Sequence, residues 1–252
     1  MESHPAILET RGLTREFSGF VAVNAVNFAV RQGTLHALIG PNGAGKSTLF
    51  NLLTRFLAPS SGQIFYDGED ITRARPASLA QRGLVRSFQI SSVFPHLSVH
   101  ENVRVALQSR HRETFGFWKS DAGLRRHDAA VDALLEDVGL DSYARRIAVE
   151  LPYGRKRALE LATTLAMEPR VILLDEPMAG MGQEDIQRMA QLIQRVAKGR
   201  TVVMVEHNLS VVADISDRIT VLRRGEIIAE GDYDTVSADA EVRQAYIGGG
   251  HD

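Results

Sequence analysis

The sequence predicts an α/β fold in which a strand–helix core is interrupted by a mainly helical insert over about residues 90–165. Three observations carry this expectation. Short apolar runs at 34–39, 171–174 and 201–205 read as buried strands. Helical periods follow at 46–57 and 184–197. Between these two blocks, the middle of the chain reads as helices with few strand signals.

From the start of the chain, 7–30 alternates apolar and polar residues with glycine punctuation and is expected to form short strands. The run 34–39 ends in Gly40, and the helix expected from Lys46 is stopped by Pro59. A strand at 63–66 turns at Asp67-Gly68. A short helix at 76–82 closes at Gly83. Ser98-Val99-His100-Glu101 is a capping box and starts a helix running to about Arg110. The stretch 111–123 has no period and reads as an irregular link, and a helix over 124–138 ends at Gly139. Another helix spans 154–167, before Pro169. Strands at 219–222 and 226–229 flank Arg223-Arg224-Gly225 as a hairpin.

Bulk properties narrow the function. The 252 residues are 44% apolar and 24% charged, with a formal net charge of -2, so the basic excess typical of nucleic-acid binders is missing and no nucleic-acid partner is expected. Without cysteine there is neither disulfide nor thiolate metal site. Met1-Glu2-Ser3-His4 does not open a signal peptide, and no apolar run approaches the roughly 20 residues that cross a bilayer.

Gly40-Pro41-Asn42-Gly43-Ala44-Gly45-Lys46-Ser47-Thr48 fits the Walker A pattern, after an apolar strand and before a helix. Glycines let backbone N–H groups converge on phosphate, and the helix N-terminus adds partial positive charge. Lys46 is expected on the β- and γ-phosphates, Ser47 on Mg²⁺, and Thr48 on a phosphate nearer the ribose. The second apolar strand ends in Asp175-Glu176. Asp175 is placed to hold Mg²⁺ through water, and Glu176 to orient or deprotonate the attacking water. ATP and Mg²⁺ are therefore the expected cofactors.

Taken in order along the chain, these motifs resemble the ATP-binding cassette (ABC) family. The resemblance implies a P-loop NTPase core with an antiparallel β subdomain and a helical insert, as a single domain over 1–252. Phe17 stands where the family stacks an aromatic on adenine, and Gln89 where a glutamine senses Mg²⁺ and faces the membrane partner. Leu151-Pro152-Tyr153-Gly154-Arg155 occupies the signature position, which places Tyr153 and Gly154 at the partner subunit's nucleotide, with charge added by Arg155. His207 matches the switch histidine that touches the γ-phosphate.

Two departures stand out. Pro152 replaces the usual signature serine and removes both a hydroxyl donor and an N–H. Gly182 ends the segment where many relatives carry an aspartate that crosses the dimer. Tyr153-Gly154, Arg157, Leu159-Glu160, Ala179-Gly180-Met181, the link at 111–123 and the tail at 242–248 are similar to the ATPases of branched-chain amino acid importers. Membership implies an ATPase at the cytoplasmic face of the membrane. Its partners would be a second cassette, identical or paralogous, two integral-membrane permeases reached near Gln89 and Ser91 to Phe94, and indirectly a periplasmic or extracellular substrate-binding protein. Two alternatives stay open: a non-importer cassette of the lipopolysaccharide-export type, and a weakly hydrolysing regulatory cassette. No Asn-Lys-x-Asp base reader of a GTPase is found.

Overall fold

The computed structural model describes residues 6–87, 93–110 and 127–247. Two sheets organise them. The first is antiparallel and contains β1 (Ala6–Phe17), β2 (Phe20–Val26), β3 (Ala29–Arg31), β5 (Ser61–Tyr66) and β6 (Glu69–Asp70). Its order is β2-β1-β5-β6, with β3 also paired to β1. Expected as short strands, the first segment instead holds one 12-residue strand that serves three partners. Thr10 lets β1 change partner: its hydroxyl donates to Val26 O (2.9 Å) and accepts from Phe28 N (3.0 Å). Ser18 and Gly19, both at positive φ, close the β1–β2 hairpin.

The second sheet has the order β11-β10-β4-β9-β8-β7. Its strands are β4 (Leu35–Ile39), β7 (Leu84–Ser87), β8 (Val171–Asp175), β9 (Thr201–Val205), β10 (Arg218–Arg223) and β11 (Glu226–Gly231). All neighbours run parallel except β10 and β11, which form the expected hairpin. Every residue of β4, β8 and β9 is buried, which is why these strands read as continuous apolar runs. The strand period of two divides them between two cores. Leu35, Ala37, Ile172, Leu174, Val202 and Met204 lie in a core with most of the helices, while Leu38, Leu173, Val203 and Val205 lie in a core with the antiparallel sheet and the helix that starts at Lys46.

The helices are α1 (Lys46–Leu53), α2 (Pro76–Gln81), α3 (Val99–Arg110), α4 (Asp128–Asp137), α5 (Tyr153–Leu165), α6 (Gln183–Ala197), α7 (Leu209–Ile215), α8 (Tyr233–Ala238) and α9 (Ala240–Ile247). The capping box forms as read: Glu101 N donates to Ser98 Oγ (3.2 Å), and Ser98 N to Glu101 Oε2 (2.7 Å). Helix α1 is shorter than expected and stops well before Pro59. The Thr54 hydroxyl bonds back to Phe50 O (2.8 Å) and Arg55 turns to φ 61. Helices α3, α4 and α5 pack on one another through Val103, Leu107, Val131, Leu135, Leu159 and Ala162. The link at 111–123 lies outside the described residues.

Candidate ATP site

The phosphate loop joins β4 to α1 and is wedged between two elements distant in sequence. At Gly40 the loop lies against β10: a Cβ there would clash with Leu222 O. At Gly45 (φ 100) a Cβ would lie 2.4 Å from Ala22 O on β2. No side chain fits either contact, so both glycines are required by space. The hairpin turn after β10 closes the loop from the other side, with Gly225 N donating to Ala44 O (2.9 Å). Ala44 is buried, whereas Asn42, Gly43 and Ser47 are exposed and Pro41 and Thr48 are half-buried.

Lys46 is only 5% exposed. Its ammonium folds back onto its own loop, donating to Gly40 O (2.7 Å) and Pro41 O (2.9 Å). Burial lowers its pKa, while the nearby carboxylates of Glu176 and Asp175 pull it up. The loop lysine and both acids at the end of β8 therefore share one electrostatic neighbourhood, as the motifs require.

Asp175 is buried, and its Oδ2 accepts from Arg86 Nη2 at 2.5 Å. The other guanidinium nitrogen, Nη1, donates to Asn51 Oδ1 of α1 (2.5 Å). Strand β7, helix α1 and the acidic strand are thus clasped by one side chain. Glu176 sits at φ 48, a conformation that costs a non-glycine residue about 1–3 kcal/mol and recurs at functional sites. It is held there by Glu176 N donating to Val205 O (3.0 Å) and Ala179 N donating to Glu176 O (3.1 Å). His207, in the connection from β9 to α7, meets it: Nε2 and Glu176 Oε1 are 2.7 Å apart. A carboxylate hydrogen-bonded to an imidazole beside a phosphate loop can position and deprotonate water aimed at a terminal phosphate.

At the signature position, Pro152 is the N-cap of α5 and makes no side-chain cap bond. The Tyr153 hydroxyl donates to Ala179 O (2.9 Å). Gly154 lies under Asp185, whose carboxylate carbon would be 2.9 Å from an added Cβ. Arg155, expected to add charge there, is the third residue of α5. Its Nη1 donates to Gly139 O (3.0 Å) and its guanidinium stacks 5.3 Å from the Tyr143 ring centre.

Residues 23–179 match the ABC transporter family, and residues 226–252 match the family described as branched-chain amino acid ATP-binding cassette transporter. The chain belongs to the ABC transporter ATP-binding family. It is 38% identical over 250 residues to the high-affinity branched-chain amino acid transport ATP-binding protein BraF of Pseudomonas aeruginosa, covering 96% of this chain and 98% of that protein. To LivG of Escherichia coli, which carries the same description, it is 34% identical over 249 residues, covering 96% and 98%. The crystal structure of the ADP conformation of MJ1267, an ATP-binding cassette of an ABC transporter, superposes with a TM-score of 0.83 at 30% identity, over 96% of this chain and 99% of that one.

As an ABC cassette the chain is an ATP-binding ATPase. Phe17 ends β1 at the hairpin tip, 40% exposed, with the Arg15 guanidinium 4.5 Å from its ring centre. That cation covers one face of the ring. Gln89 lies outside the described residues, as does Ser91. Among the described residues no group of three or more His, Cys, Asp or Glu could hold a metal. The oxygen donors at hand are the exposed Ser47 hydroxyl and Asp175, a set that suits Mg²⁺ held mainly by phosphate and water.

Sequence reading missed two residues of this cassette. Arg86 sits in a four-residue strand that was not expected, where a charged residue reads as surface. Glu206 was visible beside His207 but carried no assigned part. It is buried, and its carboxylate accepts from Met178 N (3.1 Å) and His207 N (3.0 Å).

Proposed function

We propose that this cassette energises import of branched-chain amino acids or a related amino acid or amide, as one of two ATPase subunits bound to two permeases at the cytoplasmic face of the membrane. The observation that carries the reading is the match of 226–252 to the branched-chain amino acid cassette family, together with near full-length similarity to BraF. The same match favours the importer over the lipopolysaccharide-export alternative. Among the described residues no helix is long and apolar enough to cross a membrane, and in this reading the permeases supply the path. A substrate-binding protein would deliver cargo to them from the other side.

In this reading ATP lies on the loop 40–48, with adenine against Phe17 and phosphates on the loop amides and Lys46. Mg²⁺ would be held by Ser47 and, through water, by Asp175, with Gln89 completing the set, and would neutralise charge on the phosphates. Glu176 orients and deprotonates the water, and His207 fixes that carboxylate and faces the γ-phosphate. Tyr153 and Gly154 belong to the surface offered to the nucleotide of the second cassette. The helical subdomain of about 90–165 carries motion to the permeases. The hydrogen bond between Glu176 and His207 supports hydrolysis over a purely regulatory cassette.

Glu176→Gln should keep ATP affinity and lose turnover by about 10²-fold or more, measured by phosphate release. Turnover near the wild-type rate would remove Glu176 from this part. Uptake by vesicles carrying this chain with permeases and binding protein should favour leucine, isoleucine or valine. Uptake of an unrelated sugar alone would overturn the cargo assignment.

A further inference from the structure

We propose that Tyr153 and Glu206 are positioning residues in a hydrogen-bonded relay joining the start of the signature helix to the Glu176–His207 pair of the same subunit. The proposal rests on the ATPase reading and deepens it.

The relay can be followed bond by bond. Tyr153 is the first residue of α5, and about half of it is exposed, yet its hydroxyl is fully engaged. It donates to Ala179 O (2.9 Å) and accepts from Arg157 Nη2 (3.0 Å). Arg157 is fixed in turn by Glu160 (2.8 Å), with both side chains nearly buried. A hydroxyl whose donor and acceptor sites are both occupied by anchored groups acts as a strut. The segment it grips is the turn after Glu176, closed by Ala179 N donating to Glu176 O (3.1 Å) and Met181 N to Met178 O (3.2 Å).

From that turn, Met178 N donates to Glu206 Oε1 (3.1 Å). Glu206 Oε2 accepts from His207 N (3.0 Å) and Asn208 N (3.4 Å). Glu206 is 4% exposed, and among the described residues no basic side chain pairs with it. A carboxylate buried at that cost and satisfied by backbone N–H groups locks the backbone on both sides of it. One oxygen holds the turn after Glu176 and the other holds the backbone of His207. His207 Nε2 then closes the circuit onto Glu176 Oε1 (2.7 Å).

The consequence concerns how the two ATP sites communicate. The start of α5 is the surface expected to meet the nucleotide held by a second cassette. Gly182 stands where many relatives carry a crossing aspartate, so that route is missing here. The relay gives the helix start a different connection, through its own subunit to its own Glu176. Because the Tyr153 hydroxyl is committed to Ala179 and Arg157, its part is to position the turn after Glu176, and any nucleotide contact falls to its ring or to the α5 backbone.

Tyr153→Phe removes only a hydroxyl and should fold. Hydrogen exchange on the full chain, read by mass spectrometry, should speed up about fivefold or more at 178–182 and 206–208 in Tyr153→Phe, while 40–48 is unchanged. In steady-state phosphate release, kcat should fall on the order of tenfold with KM within about twofold, for Tyr153→Phe and for Glu206→Gln alike. The double variant should fall no further than the weaker-turnover single variant. Exchange that rises only at 153–157, losses that multiply in the double variant, or a raised KM with kcat intact would each overturn the relay. If Glu206→Gln does not fold, Tyr153→Phe decides alone. A wild-type chain that hydrolyses nothing would break the ATPase reading instead, and the exchange experiment, which needs no turnover, would still decide the relay.

Discussion

The phosphate loop and the start of α5, the two regions proposed to face nucleotide, are built in opposite ways. The phosphate loop is packed from three directions, by β2 against Gly45, β10 against Gly40 and the 223–225 turn against Ala44. The start of α5 has no side-chain cap and presents a half-exposed tyrosine to solvent. One region is finished within the chain, by contacts between residues far apart in sequence. The other is the surface proposed to meet a second subunit. A rigid catalytic half and a docking half in the same chain are what an enzyme assembled across a dimer needs.

This contrast predicts where substitutions will hurt. The largest effect belongs to the packed side. Arg86→Met leaves the buried Asp175 carboxylate without its cation and should cost about 3–5 kcal/mol in denaturant unfolding. A loss below about 1 kcal/mol would mean that the clasp among β7, α1 and Asp175 is not part of the interior.

A pH effect of intermediate size also comes from this side. His36 on β4 is buried beside Thr220 Oγ1 (2.7 Å), and burial, helped by Arg218 and Arg31, pushes its pKa down to about 3. The folded chain keeps His36 neutral while the unfolded chain protonates it below its ordinary 6.5. Stability from this residue is therefore complete above pH 6.5 and drains as pH falls toward 3, by about 2 kcal/mol at pH 5. His36→Asn should unfold more easily at neutral pH and lose that part of the acid slope. An unchanged slope would place the titration elsewhere.

The smallest effect belongs to the helical side. Ser98→Ala removes the capping box of α3 and should cost about 1 kcal/mol in thermal unfolding, with nucleotide affinity unchanged. A fall in nucleotide affinity would show that the two sides are coupled more tightly than their packing suggests.

The same contrast explains what the sequence revealed. The phosphate loop and the acidic strand were legible because each residue type is dictated by local chemistry and framed by fully buried apolar strands. The capping box was legible because both its bonds are local. Strand β7 was missed because its four residues include Arg86 and Ser87, and only parallel pairing to β8 makes it a strand. Helix α7 was missed because seven residues show too little period, although the Asn208 side chain accepts from Val211 N as an N-cap. Arg86 and Glu206 were opaque for a different reason. Their partners lie 89 and 28 residues away in the chain, so burial and pairing come from the tertiary fold.

The central claim is that this chain holds half of an ATP site and completes it with a second cassette. The most direct measurement is the mass of Glu176→Gln in solution by light scattering, with and without Mg-ATP. A monomer that becomes a dimer binding one ATP per chain, reversed by nucleotide removal, is the predicted result. Glu176→Gln remaining a monomer with ATP bound, alongside wild-type turnover per chain that does not change with chain concentration, would contradict it.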